Sequence, residues 1–177
     1  YSALKGEELL TFNVGAITGG TVVEYDMEQN RGSAFGKSNV VPNIAIAQGG
    51  IRTITVEQLE RTRSAMRAIV ADHLPQTHAT ISFTDGYPPM SPTDGNRNLQ
   101  EQFSSINVDL GRGPMPALDP GRRGAADISF VAPYTDALAG LGALGEGGHT
   151  PHESLRLDSI ALATKRAAIM IYRLSQD

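Results

Sequence analysis

The chain has 177 residues and contains no cysteine and no tryptophan. Lack of cysteine excludes disulfides, thiolate metal sites and cysteine nucleophiles, while leaving the cytosol, the periplasm and secretion all open. Basic residues are in the minority, 15 against 19 acidic ones, for a formal net charge of -4. No continuous positive stripe is available for phosphates, so nucleic acid is not expected as a partner. No apolar run approaches membrane-spanning length, and Tyr1-Ser2-Ala3-Leu4-Lys5 does not open a signal peptide, so no membrane partner is expected. An initiator methionine is missing too, which suggests a start inside a longer precursor. What is present is 40% hydrophobic, enough for one generous domain or two small ones, each with its own core.

Leu10, Phe12, Val14 and Ala16 alternate with Thr11, Asn13 and Gly15, the period of a half-buried strand. Gly19-Gly20 then predicts a hairpin into Thr21–Tyr25. Residues 27–38 are polar and read as a loop. Val40, Val41 and Ile44 to Ile51 make a third extended segment, with Pro42 marking an edge or a strand start. Thr55-Val56-Glu57-Gln58 has the form of a capping box, and Leu59, Met66, Ile69, Val70 and Leu74 recur at helical spacing until Pro75 stops the helix. Glu57 and Arg61 are spaced to pair on its outer face. A fourth strand is expected over His78–Phe83. This order predicts an α+β unit over 1–84, a ferredoxin-like antiparallel sheet with helices on one face, whose first helix precedes Tyr1.

Asp85-Gly86-Tyr87-Pro88-Pro89-Met90-Ser91-Pro92 is dense in turn residues and marks a domain crossing. Over 85–177 the pattern becomes that of a partial α/β layer: a helix around Asn98–Leu110, a strand at Met115–Leu118, a helix from Asp127, an apolar run Ala137–Leu144 and a last helix opened by Asp158. Ile160, Ala167, Met170, Ile171 and Leu174 form the expected buried stripe of that helix. Two strands are too few for such a layer, so this half should expose apolar surface and associate.

The chemistry concentrates in Gly145-Glu146-Gly147-Gly148-His149-Thr150-Pro151-His152-Glu153. A histidine on a glycine hinge before a helix can present a neutral imidazole to a metal, and a first-row metal site holds three or four donors together, typically His nitrogen and carboxylate oxygen for zinc. With four histidines in all, and His73 and His78 far upstream, the chain is expected to hold one donor of a larger set. His152 reads as a solvated side chain, His73 as a helix-end residue and His78 as a strand surface residue. From spacing alone Arg52 equally suits an ion pair at a strand end, and Asn39 the turn before Pro42.

Asn13-Val14-Gly15-Ala16-Ile17-Thr18-Gly19-Gly20-Thr21, Ser38-Asn39-Val40-Val41-Pro42, Arg52, Gly124-Ala125-Ala126-Asp127 and Gly148-His149-Thr150-Pro151-His152-Glu153 occur here in a telling order. That order resembles the zinc exopeptidases of the carboxypeptidase G, aminoacylase and succinyl-diaminopimelate desuccinylase family, and most of all its glutamate carboxypeptidase-type members. The resemblance spans nearly the whole chain and implies a lid, or dimerisation, domain followed by the C-terminal part of a catalytic domain. It further implies two zinc ions in the complete enzyme, a glutamate base upstream, a homodimer formed through the lid, and a small peptide or N-acyl amino acid substrate. Carried over, His149 is a metal ligand, Asn39 and Arg52 bind substrate, Gly147 and Gly148 let the backbone approach it, and Asp127 has a supporting role.

The sequence departs from the family in several places. Its His-x-Asp ligands, bridging Asp and catalytic Glu-Glu pair have no counterpart here, so no catalytic base is assigned to this chain and it is expected to be inactive alone. Glu7-Glu8 precedes the first lid strand and reads as a solvated turn. Gly-Ala-Ala-Asp stands where Gly-Gly-Ser/Thr-Asp is usual, and His152 where an acidic residue is common. The other reading is a dimerisation or binding module without chemistry.

Overall fold

The computed structural model describes residues 4–176. The chain divides into two compact units, the first ending at Phe83 and the second beginning at Thr84. The architecture is α+β, with antiparallel strand pairs and three α-helices.

The first unit contains β1 (Thr11–Gly20), β2 (Val22–Asp26), β3 (Arg31–Phe35), β4 (Ile44–Arg52) and α1 (Val56–Ala71). β1 pairs with β4, from Thr11 opposite Arg52 to Gly20 opposite Ile44, and β2 pairs with β3. The hairpin expected at Gly19-Gly20 is therefore not formed, because both glycines complete β1. The reversal comes later, where the Asp26 carboxylate accepts from the N–H groups of Glu28 (2.9 Å) and Gln29 (3.0 Å) and Asn30 takes φ 52°. Such an Asx turn needs short polar side chains, which is why this segment reads as a loop. It conceals β3, a strand exposed at every position and so without the alternation that betrays a half-buried one.

His78–Phe83 belongs to no ladder, which corrects the expected fourth strand. Alternation fits a residue to a pleated surface but does not supply a neighbouring backbone. Phe83 instead lies beneath the guanidinium groups of Arg63 and Arg67, 5.3 and 5.1 Å from its ring centre. In place of the single ferredoxin-like sheet, the described residues of the first unit form two separate two-stranded sheets.

Thr55 caps α1 as its sequence indicates, accepting from the Gln58 N–H at 3.0 Å. The Gln58 amide reaches further than a capping box requires: its oxygen accepts from Ile54 N–H (2.9 Å), and its nitrogen donates to the Glu8 carbonyl (2.9 Å) and the Glu7 carboxylate (3.2 Å). Arg61 forms its ion pair with Glu7, while its charge also helps to hold the expected partner Glu57 below the ordinary carboxylate value, after the Glu57 backbone and Thr55 hydrogen bonds. Glu7 is thus a clamp on α1 and not a solvated turn residue. The buried residues of α1 are Gln58 and Thr62, whereas the expected stripe is only partly covered: Ile69 is 48% exposed, and Leu74, beyond the helix end, is 75% exposed. Leu4 is the large apolar side chain that this unit buries among the described residues.

In the second unit α2 (Asp94–Asp109) and α3 (Leu157–Leu174) enclose a small core of Phe103, Ile106 and Met170, flanked by Leu99, Met115, Leu138 and Ile169. The strand expected at Met115–Leu118 is absent. The Met115 N–H donates to Ser104 Oγ (2.9 Å), and its carbonyl accepts from the Gln100 side chain, so α2 takes the place of a neighbouring strand. The helix expected from Asp127 is a single 3-10 turn, Asp127–Phe130. β5 (Gly145–Glu146) and β6 (Ser154–Leu155) are antiparallel, so no parallel layer forms among the described residues.

The stripe expected on α3 is covered only in part, with Met170 buried and Ala167 half-buried. Ser159, Ala163 and Met170 face the core, whereas Ile160, Ile171 and Leu174 are 42%, 69% and 45% exposed. At 100° per residue Leu157, Ile160, Ala161, Thr164, Ala168 and Ile171 line a face that bears no charged residue, centred about 130° round the helix from the buried one. The uncharged arc of the helix is wider than the core beside it, and periodicity cannot say which part of it this chain covers. Exposed apolar surface in this half is as expected.

Two outcomes follow for the first unit. β1 carries a bulge that leaves Gly15 unpaired between Val14 opposite Gly49 and Ala16 opposite Gln48. A Cβ on Gly49 would press into the Asn13 main chain, with its carbonyl carbon at 3.1 Å, whereas one on Gly50 meets the Asn13 side chain at 3.3 Å. Gly49→Ala should lower unfolding stability by about 1–3 kcal/mol and Gly50→Ala by less; equal midpoints in urea unfolding followed by circular dichroism would refute the bulge. Hydrogen bonding from Arg61, then from Gln58, holds the Glu7 carboxyl below its ordinary 4.5. A depressed folded value means that its contribution is present above about pH 4.5 and lost as the pH falls through that folded value. Glu7→Gln should flatten the acid limb of a stability profile, and parallel profiles would show the clamp to be inert.

Candidate functional site

β5 and β6 pair Gly145 with Leu155 and Glu146 with Ser154, and residues 147–153 form the tip of this hairpin. Its base is tied to α3: Leu144 N–H donates to Ser159 Oγ (2.8 Å), and Arg156 N–H donates to the Leu144 carbonyl (2.9 Å). In the tip the Gly147 carbonyl accepts from the Thr150 hydroxyl (2.7 Å) and N–H (3.1 Å), and the Thr150 carbonyl accepts from Glu153 N–H (3.1 Å). Glu153 returns a carboxylate oxygen to the His149 N–H at 3.3 Å.

Gly147 sits at φ 66° and His149 at φ 65°, both in the left-handed region. Glycine adopts this without cost, whereas for a residue with a Cβ it costs roughly 1–2 kcal/mol. The imidazole is exposed and makes no hydrogen bond among the described residues. The neighbouring Gly148 lines an open depression with Gly145, Glu146, Glu153 and Leu155, and His149 is not part of that lining. No three His, Asp or Glu side chains among the described residues converge to hold a metal. The chemistry of the donor set therefore fits one imidazole ligand and does not by itself fit a zinc pair. His152 is exposed, and its N–H is held by Thr150 Oγ1 at 3.2 Å.

Asp127 opens the 3-10 turn and accepts from the Tyr87 hydroxyl at 2.8 Å. The Tyr87 ring tilts against Phe130 at 5.3 Å, and the Asp127 hydrogen bond and charge push the phenol above its ordinary value. Sequence reasoning missed Tyr87, having read its surroundings as a linker. It also gave no role to Glu153, although a carboxylate four residues beyond a loop histidine is within reach of that residue's backbone.

Asn39 lies in the exposed turn closed by Val40 N–H donating to the Lys37 carbonyl (3.1 Å). Lys37, Val40 and Pro42 from this segment line a small hollow together with Gly19, Gly20 and Thr21. Arg52 ends β4 at the other extremity of the ladder, opposite Thr11, and its exposed side chain makes no ion pair among the described residues. Eight steps of β4 separate Ile44 from Arg52, about 26 Å at strand rise. The structure does not bring Asn39 and Arg52 into a common pocket.

A β-rich unit with a thin core and one long helix defines the class of the first half: an α+β module that buries little on its own. Residues 3–78 match a family model described as a peptidase dimerisation domain. The match lies within the first unit and covers less than half of the chain. No curated protein and no solved structure matches the chain. No helix among the described residues is long and apolar enough to cross a membrane.

Because the His149 backbone is held at a cost, His149→Gly should leave the second unit at least as stable, with a gain of up to about 1 kcal/mol. Urea unfolding of the two proteins measures this, and a loss of stability would mean that the imidazole packs in the folded protein.

Proposed function

We propose that this chain is the lid and the C-terminal catalytic segment of a zinc-dependent exopeptidase of glutamate carboxypeptidase type, hydrolysing a peptide or N-acyl amide bond next to a free carboxylate. The carrying observation is the match of residues 3–78 to a peptidase dimerisation domain. The exposed, backbone-strained imidazole of His149 supports it from the other half, since strain persists at positions where the side chain has a task.

In this reading His149 contributes one nitrogen toward two zinc ions, and the remaining donors and the general base come from residues outside this chain. Zinc, when bound, supplies polarisation of the scissile carbonyl and acidification of the attacking water. The chain's own residues bind and orient. Gly147 and Gly148 admit the substrate backbone, since a Cβ at Gly148 would meet only open space and Gly147 already has the left-handed φ. Arg52 offers a planar fork to the substrate carboxylate, and the Asn39 amide donates to its carbonyl oxygen. Asp127, held by Tyr87, braces the loop that carries it. About 26 Å of strand between the ends of β4 is too far for Asn39 and Arg52 of one protomer to grip one small substrate. The reading therefore assigns them to different sites of a homodimer joined through the lid.

The experiment uses the full-length protein, loaded with zinc and assayed on dipeptides and N-acyl amino acids. His149→Ala should lower kcat/KM by at least about a hundredfold. Arg52→Met should lower it by about ten- to a hundredfold, the value of a charged hydrogen bond. A dimeric protein that hydrolyses none of these substrates would overturn the enzymatic reading in favour of a non-catalytic dimerisation module.

A further inference from the structure

We propose a second metal site, independent of the hydrolytic reading, formed by His73 and His78 for a late first-row divalent cation such as copper, nickel or zinc. The two imidazoles flank a tight turn in which the Thr77 N–H donates to the Leu74 carbonyl at 3.1 Å, with the Thr77 hydroxyl on the same oxygen at 2.6 Å. Pro75 occupies the second position of that turn and Gln76 the third, at φ 64°. Proline followed by a left-handed residue is the type II arrangement, which normally takes glycine or asparagine at the third position. A glutamine held there carries backbone strain, and such strain is commonest at ligand clamps and other functional positions.

The turn reverses the chain so that residues five apart face each other. The ring centroids of His73 and His78 lie 6.0 Å apart with the planes at 71°. Two imidazoles sharing a metal at about 2.0–2.1 Å per nitrogen place their ring centres roughly 5–6 Å apart, so a small rotation of two exposed side chains closes the site. His73 Nδ1 lies 3.3 Å from the Leu74 carbonyl. A proton on Nδ1 would donate to that oxygen and leave Nε2 with its lone pair outward, the usual outer arrangement of a metal-binding histidine. His73 also follows the Asp72 cap at the C-terminal end of α1, whose N–H donates to the Ala68 carbonyl. The helix dipole at that end favours a cation. Both rings are exposed, so solvent completes the coordination shell.

The test titrates copper(II) alone into the chain with His149→Gln and His152→Gln, followed by electron paramagnetic resonance at neutral pH. One equivalent should bind with hyperfine splitting from two nitrogens. His73→Gln or His78→Gln should each reduce this to one nitrogen and weaken binding by at least about tenfold. Gln76→Gly, which relieves the strain while keeping both ligands and the turn, should retain the two-nitrogen signal. Helix content by circular dichroism verifies that each variant is folded. A one-nitrogen signal in the starting protein, or equal affinity with either histidine removed, would show adventitious binding and overturn the site.

Discussion

The antiparallel ladder between β1 and β4 is the constraint on which the first unit depends. It joins Thr11 to Arg52 and Gly20 to Ile44, and so takes the whole intervening chain out of the sheet as a separate hairpin. The bulge at Gly15 works only because Gly49 opposes it without a side chain. The same ladder sends Asn39 to one end of β4 and Arg52 to the other. α1 is then fastened from its N-terminal end, where Gln58 and Arg61 meet Glu7 and Glu8 through hydrogen bonds rather than through apolar packing. A unit secured in this way buries little hydrophobic surface of its own.

The second unit meets the same shortage differently. Its core is a single cluster around Ile106, and it compensates for missing strand neighbours with helix side chains: Ser104 and Gln100 hold the Met115 backbone, and Asn107 donates to the Gly113 carbonyl at 2.5 Å. α3 leaves its uncharged second face to solvent. The hairpin that carries His149 is tied to α3 through Ser159 and Arg156, so the strained loop is displayed from the most regular element of the unit.

Elements whose stability is local were legible. The cap at Thr55, the helices α1, α2 and α3, and the strands β1 and β4 follow from capping chemistry and periodicity, which act within a few residues. Elements that need a distant partner were not. β3 has no alternation because neither of its faces is covered, His78–Phe83 alternates without a ladder, and Met115 is extended against side chains instead of a strand. The resemblance read from Asn13–Thr21, Ser38–Pro42 and Arg52 is supported at family level by the match over residues 3–78. Tyr87 and Glu153 escaped notice because their roles rest on a hydroxyl and a carboxylate meeting groups that only the fold brings near.

By itself the sequence determined the three long helices, the absence of thiol chemistry and the glycine hinge around His149. These depend on residue type and short-range spacing, which are complete in the chain as written. Tertiary structure alone decided which strands pair, which face of α3 is covered, that Asn39 and Arg52 stand at opposite ends of one strand, and that His73 and His78 face each other across a proline turn. Those outcomes rest on long-range backbone partners and on turn dihedrals. No residue carries that information until the chain has closed on itself.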